Sequence, residues 1–190
     1  LKAGGTPSKN VKKFWNGKIP FVLIEDMTNT EKYLYDTKVK ITENGLNHSS
    51  AWIVPPNSLL ISMYASLGEV VINKIEVTTN QAILALIPDN NYDLDFLYYL
   101  IIFSKGCFES LVSQTTQKNL NKQKLQNFEI SLPPTLEEQH AIAKILSDMD
   151  EEIEALERKK EKYEMLKKGA MQSLLTGKIR LKDHIDEVLA

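Results

Sequence analysis

Over residues 1–134 short apolar runs alternate with turn residues, the pattern of a mixed-sheet domain. Ile19 to Ile24, Ala51 to Val54, Ser58 to Tyr64, Glu69 to Asn73 and Gln81 to Ile87 read as strands. Breaks at Pro55-Pro56-Asn57 and Leu67-Gly68 separate three of them. Several runs are too continuously apolar for surface strands, so at least one sheet face is expected to be covered. The cover is expected from Asp93 to Val112, with Asp93 as N-cap and Leu94, Leu97, Tyr98, Ile101, Ile102 and Leu111 at helical spacings; Gly106 interrupts its middle. Asn121 to Asn127 adds a helical turn or two before a last strand, Phe128 to Leu132.

The pattern then changes. Pro133-Pro134 closes the strand, and Thr135 with Glu138 three residues later is a capping box that starts a helix. No Pro follows from Leu136 to Leu175, and Thr176-Gly177 supplies the stop. About 40 helical residues reach about 60 Å, more than a domain of this size buries along one side, so the helix needs a partner. Its apolar residues keep a four-three rhythm that defines a heptad seam: Ile142, Leu146, Met149, Ile153, Leu156, Lys160, Tyr163, Lys167, Ala170 and Leu174. The two seam lysines weaken pairing while restricting its register.

Charge argues for orientation. Residues 136–157 carry a net −7 and residues 158–175 a net +4. A parallel pair lays like on like, whereas an antiparallel pair lays each acidic half along a basic half. The same polarity also suits the helix dipole, so a solvated helix with no charge-directed partner is the alternative. An antiparallel pair has a two-fold axis across its middle and sets two identical domains at opposite ends of a rod. That arrangement matches two equivalent sites on duplex DNA, whose repeat is about 34 Å. The expected division is 1–134 globular domain, 135–176 dimerisation helix and 177–190 tail, with an α+β class overall.

Composition narrows the function. The 190 residues are 43% hydrophobic and 25% charged, a globular balance, and the formal charge of −2 excludes indiscriminate coating of nucleic acid. A lone Cys107 makes neither an internal bridge nor a Cys-based metal site, which favours a reducing, cytoplasmic setting. No apolar run is long enough to span a bilayer. Catalytic patterns fail on particular residues. Gly177-Lys178 is followed by Ile179 where a phosphate-binding loop needs Ser or Thr, and neither Pro-Pro pair has the Asn or Asp of an amino-methyltransferase. His48, His140 and His184 form no i, i+4 pair, so no metal site is expected.

Two stretches suit nucleic acid. Gly4-Gly5-Thr6-Pro7-Ser8 reads as a flexible turn whose amides and hydroxyls approach phosphates, followed by Lys9, Lys12, Lys13 and Lys18 with no acid before Glu25. Gln114, Gln117 and Asn119 carry amides able to pair with adenine edges, and Lys118, with Thr115 and Thr116 beside it, reaches guanine or phosphate. A plain solvated loop is the alternative for each. Trp15 and Trp52 read as packing residues.

These segments, taken in order, resemble the DNA specificity subunit of type I restriction-modification systems. The likeness rests on Gly4-Gly5-Thr6-Pro7-Ser8, Phe14 to Val22, Ser66 to Val70, Asn80-Gln81-Ala82, Thr115 to Leu120, Leu132-Pro133-Pro134 with Glu137-Glu138-Gln139, and Leu174 to Leu181. Gln114 departs from a Gly common in the family. The resemblance implies a mixed α/β target recognition domain followed by a helix, usually present twice in one polypeptide and paired antiparallel. One domain and one helix are present here, so it implies a half-length subunit or fragment that rebuilds the pair as a homodimer. It implies double-stranded DNA as ligand, recognition of one half of a bipartite site without catalysis, and methyltransferase and restriction subunits as partners. S-adenosylmethionine is expected only on the methyltransferase. The rival reading is a coiled-coil scaffold whose globular head grips another protein.

Overall fold

The computed structural model describes residues 1–63, 68–108, 122–127 and 129–181. Among the described residues eight strands form, β1 Lys2–Ala3, β2 Trp15–Val22, β3 Tyr33–Leu34, β4 Val39–Ile41, β5 Ser58–Ser62, β6 Val70–Asn73, β7 Thr78–Thr79 and β8 Ile83–Leu86. They make a five-stranded sheet in the order β1-β8-β5-β6-β3 and a three-stranded sheet in the order β4-β2-β7. The larger sheet is antiparallel except where β3 runs parallel to β6, and β2 runs parallel to β7 in the smaller one.

All five residues of β5 are buried, because both faces of its sheet are covered. Leu59 and Ile61 join Val70, Ile72 and Leu84 on one face, against Phe96, Leu97, Tyr98 and Ile101. Leu60, Val71, Ile83 and Ala85 point the other way, into a cluster with Val22, Met27, Leu34, Val54 and Val77. Strands buried twice lose the polar alternation of surface strands and read as apolar runs.

The helices are α1 Ile24–Thr28, α2 Glu43–Asn47, α3 Leu94–Phe103, α4 Lys122–Gln126 and α5 Leu136–Leu174. Asp93 caps α3 as expected, its Oδ1 accepting from the Phe96 amide at 2.7 Å. Within the predicted span the helix is interrupted. It stops at Phe103, turns at buried Ser104 and resumes over 105–108, so the interruption falls before Gly106; Leu111 and Val112 lie outside the described residues. Lys32 ties α3 to the β3 edge. Its Nζ lies 2.9 Å from Asp95 Oδ1 and donates to the Tyr99 hydroxyl at 3.2 Å, while the Tyr33 hydroxyl donates to the same Asp95 oxygen at 2.8 Å. Burial alone would raise the Asp95 carboxyl, yet the hydrogen bonds from Lys32 and Tyr33 and the charge of Lys32 hold it below its ordinary value. For Lys32 burial acts downward, but Asp95 and Tyr99 overcome it and push the ammonium upward.

Two expected strands are corrected. Ala51 to Val54 contributes only an isolated bridge between Val54 and Val77, since Pro55-Pro56 ends pairing at once. No strand forms over 129–132. Leu132 packs on the core while Ile130 stands 42% exposed, and neither edge strand of the larger sheet takes them as a neighbour. Phe128 lies outside the described residues.

The chain divides into Leu1–Ala143 and Lys144–Ala190. The first two turns of α5 therefore belong to the globular unit, where Gln139 and Ala143 are buried. Thr135 opens α5 through the hydroxyl half of a capping box, accepting from the Glu138 amide at 3.2 Å. Gln139 Oε1 accepts from the Asp93 amide at 3.0 Å, which joins the start of α5 to the cap of α3. In the second unit α5 is exposed along nearly its whole length. It ends where the stop is expected, with Gly177 at φ +70 and the Ile179 amide donating back to the Ser173 carbonyl at 3.0 Å.

Candidate nucleic-acid interface

Gly4-Gly5 does not form the flexible, phosphate-facing turn expected of it. The Gly4 amide donates to the Ile83 carbonyl at 3.2 Å and the Gly5 amide to the Thr79 carbonyl at 2.9 Å. A Cβ at Gly4 would lie 2.1 Å from the Thr79 carbonyl oxygen, and one at Gly5 2.2 Å from Ser50 Oγ. Glycine is required here for close approach of two backbones, and both donors are spent inside the fold. What the pair does is deliver the next residues to a fixed place.

Thr6 is half-buried, Pro7 buried and Ser8 exposed. The Ser8 carbonyl accepts from the Val11 amide at 3.2 Å and from Trp15 Nε1 at 3.1 Å. A 3-10 turn over Lys12–Phe14 then buries Phe14, whose ring stacks on His48 at 5.7 Å. Lys9, Lys12 and Lys13 are thus held exposed on one short anchored segment, with Lys18 exposed on β2. None of the four enters an ion pair among the described residues, whereas Lys32, Lys38, Lys40 and Lys105 each do. Unpaired lysines with no acid nearby in sequence are the donors a phosphate backbone needs.

A cleft of about 490 Å³ opens beside this segment, lined by Thr6, Lys9, Trp15, Phe21, Asn80 and Gln81 among others. Trp15 meets Phe21 edge to face at 5.5 Å, and Trp52 Nε1 donates to the Ala3 carbonyl at 3.0 Å, so both tryptophans pack as expected. Asn80 Oδ1 accepts from the Ala82 amide at 2.8 Å, which shapes the β7–β8 turn. The Thr6 hydroxyl donates to Gln81 Oε1 at 2.6 Å, so the exposed Gln81 offers its amide nitrogen outward. Asn80 and Gln81 join Thr6 and Lys9 only through the fold. Their sequence signals are a polar pair at a turn before an apolar strand and their place in the Asn80-Gln81-Ala82 segment of the family resemblance. Gln114, Thr115, Thr116, Gln117, Lys118 and Asn119 lie outside the described residues.

The expected seam runs along α5. Ile142 is half-buried and packs in part on the core of the globular unit. Leu146 is half-exposed, while Met149, Ile153, Leu156, Lys160, Tyr163, Lys167, Ala170 and Leu174 are exposed. Ile145, Met165, Leu166 and Met171, outside the seam, are exposed too. No helix among the described residues is long and apolar enough to cross a membrane, so this apolar surface awaits a different cover.

A two-sheet α/β head carrying an anchored basic segment, joined to one long amphipathic helix, is the architecture of a DNA specificity domain. The family described as the type I restriction modification DNA specificity domain matches residues 1–165, and the chain belongs to it. It is 34% identical over 176 residues to the type I restriction enzyme MjaIX specificity subunit of Methanocaldococcus jannaschii, covering 90% of this chain and 40% of that protein. It is 31% identical over 133 residues to the HindI specificity subunit of Haemophilus influenzae, covering 68% and 29%. The chain thus spans about 40% or less of the length of these relatives. Among solved structures, a chain of a type I R-M system superposes with a TM-score of 0.70 at 24% identity, covering 90% of this chain and 41% of that one. The HsdS subunit from Thermoanaerobacter tengcongensis superposes with a TM-score of 0.60 at 23% identity, covering 82% and 36%. At these identities the structural likeness speaks for the fold.

Proposed function

We propose that this chain is a non-catalytic, sequence-reading subunit of a type I restriction-modification complex. The match of the specificity-domain family across residues 1–165 carries this reading. The region 1–134 reads one half of a bipartite site on double-stranded DNA, 135–176 dimerises and 177–190 is a tail. Lys9, Lys12 and Lys13 contact phosphates, and Thr6, Ser8 and the stretch Gln114 to Asn119 complete the contact surface. Methyltransferase and restriction subunits are the partners, S-adenosylmethionine binds only the methyltransferase, and the assembly works in the cytoplasm, where its DNA substrate is.

Two copies pair antiparallel through α5. One such register sets Leu146 against the partner's Ala170, Ile153 against the partner's Tyr163 and Leu174 against the partner's Ile142. It lays the −7 half along the +4 half. A homodimer carries the same reader twice and therefore reads an inverted repeat. The test is competition binding with the methyltransferase partner present and salt held constant. The expected result is retention on a subset of duplexes against excess random DNA; equal binding to every duplex, or none, would overturn the proposal in favour of a protein-gripping scaffold.

A further inference from the structure

The globular unit carries a second groove, remote in sequence from the basic segment. It encloses about 710 Å³ between the Pro55-Pro56-Asn57 turn, the Ile87–Tyr92 loop and the first turns of α5. Its apolar rim is Ile87, Tyr92 and Leu136, which stand 51%, 40% and 43% exposed. Among the described residues its charged groups are Asp89, Asp93 and Glu137, with no Lys or Arg in its lining. Asp93 has His140 Nδ1 at 3.1 Å, whereas Asp89 and Glu137 enter no ion pair among the described residues. An occupant that fits is extended, alternately apolar and basic.

The end of this chain has that chemistry. After Gly177 turns the backbone off the helix, Lys178, Ile179, Arg180 and Leu181 alternate basic and apolar. Ile179 stands 55% and Leu181 42% exposed, and neither Lys178 nor Arg180 enters an ion pair among the described residues. In the antiparallel register above, Leu174 of one copy lies opposite the partner's Ile142. A slip of one heptad moves it opposite the partner's Thr135. Either way the tail leaves its helix at the level of the partner's Leu136, Glu137 and His140, which lie off the a and d positions, so the Gly177 turn carries it round the partner's helix to this wall of the groove.

We propose that the Lys178–Leu181 segment of a second copy docks in this groove, with Ile179 and Leu181 on the apolar rim and Lys178 and Arg180 facing Asp89 and Glu137. The inference rests on the antiparallel homodimer reading. Each dimer then has two such clasps, one at each end of the helical pair, which add to a seam weakened by its lysines and penalise parallel pairing.

Sedimentation equilibrium and cysteine cross-linking of the full chain, in a Cys107→Ser background, test it. Lys178→Glu with Arg180→Glu should raise the dimer dissociation constant tenfold or more. Mixing that chain with one carrying Asp89→Lys and Glu137→Lys should restore tight heterodimers. An Ile179→Cys chain mixed with a Tyr92→Cys chain should oxidise to a covalent heterodimer. An unchanged dissociation constant together with no cross-link would overturn the clasp and leave the dimer standing, as would a doubly substituted chain whose bond forms only within itself. A chain that stays monomeric at every concentration would overturn both.

Discussion

The hydroxyl of Thr6 donates to Oε1 of Gln81 at 2.6 Å, joining two residues 75 positions apart at the mouth of one cleft. The bond occupies the Gln81 carbonyl and directs its amide nitrogen outward, beside a lysine segment that the same turn positions. Gln81→Ala should therefore lower the preference for a cognate duplex over random DNA by about 5- to 150-fold, the value of about 1–3 kcal/mol for one base-reading contact. Binding to random duplex should hardly change, and the ratio of the two competition constants is the readout.

Lys9, Lys12 and Lys13 stand on the other side of that distinction. Replacing all three by Gln removes about three phosphate contacts, so the log–log slope of affinity against salt should fall by about 2–3. Affinity at low salt should drop on every duplex. A slope equal to that of the parent chain would remove the segment from the interface.

Gly4→Ala tests what the Gly-Gly pair is for. Its Cβ would lie 2.1 Å from a backbone oxygen, which neither a rotamer change nor a small shift relieves. Overpacking of this kind costs about 1–3 kcal/mol. A urea midpoint lowered to match is expected, together with weaker DNA binding per folded molecule, because the segment carrying Thr6 and Lys9 is displaced.

Asp95 gives the fold an acid-sensitive latch. Its carboxyl is held below its ordinary value by Lys32 and Tyr33 against the opposing pull of burial. A depressed folded-state value means that its stabilisation is present above the unfolded value of about 3.9 and is lost as pH falls through the folded one. Asp95→Asn should lower stability at neutral pH and flatten the dependence below about pH 4. Lys32 is raised instead, so its contribution is complete below about pH 10.4 and fades only as pH climbs through the folded value. Lys32→Met should cost about 2 kcal/mol, less than the roughly 3–5 kcal/mol of a fully buried pair, because the Asp95 side chain is 37% exposed. Urea unfolding between pH 2.5 and 7 measures both.

Much of this architecture was legible in the chain because it rests on local physics. The Asp93 cap, the Thr135 start, the Gly177 stop and the doubly buried runs of β5 and β6 each follow from residues a few positions apart. β1, β3, β4 and β7 span only two or three residues, too few to show a period, and exist because neighbouring strands supply their hydrogen bonds. The cleft was half legible. Thr6 and Lys9 lie in a visible basic segment, whereas Gln81 reaches it only because β1 pairs with β8. Gly4-Gly5 misleads for a related reason: a pair of glycines permits flexibility in an isolated chain, but here it permits two backbones to touch.

The exposed seam of α5 leads to the last prediction. Met149, Ile153, Leu156 and Tyr163 stand 54–60% exposed at positions that share one face of the helix, and an amphipathic helix gains its stability from covering that face. Its outer surface is already served by pairs within the chain, Lys144 with Asp148 at 2.8 Å among them, so pairing is left to the apolar side. Ile153→Asp with Leu156→Asp should abolish the dimer at micromolar concentration without unfolding the globular unit, because neither residue belongs to its core. The same substitution should lengthen the competition curve for DNA, since a lone reader grips half a site and loses the gain in effective concentration that the second provides. Light scattering and DNA competition on one preparation decide it: a persistent dimer would place the interface elsewhere, and a monomer with undiminished specific binding would separate reading from pairing.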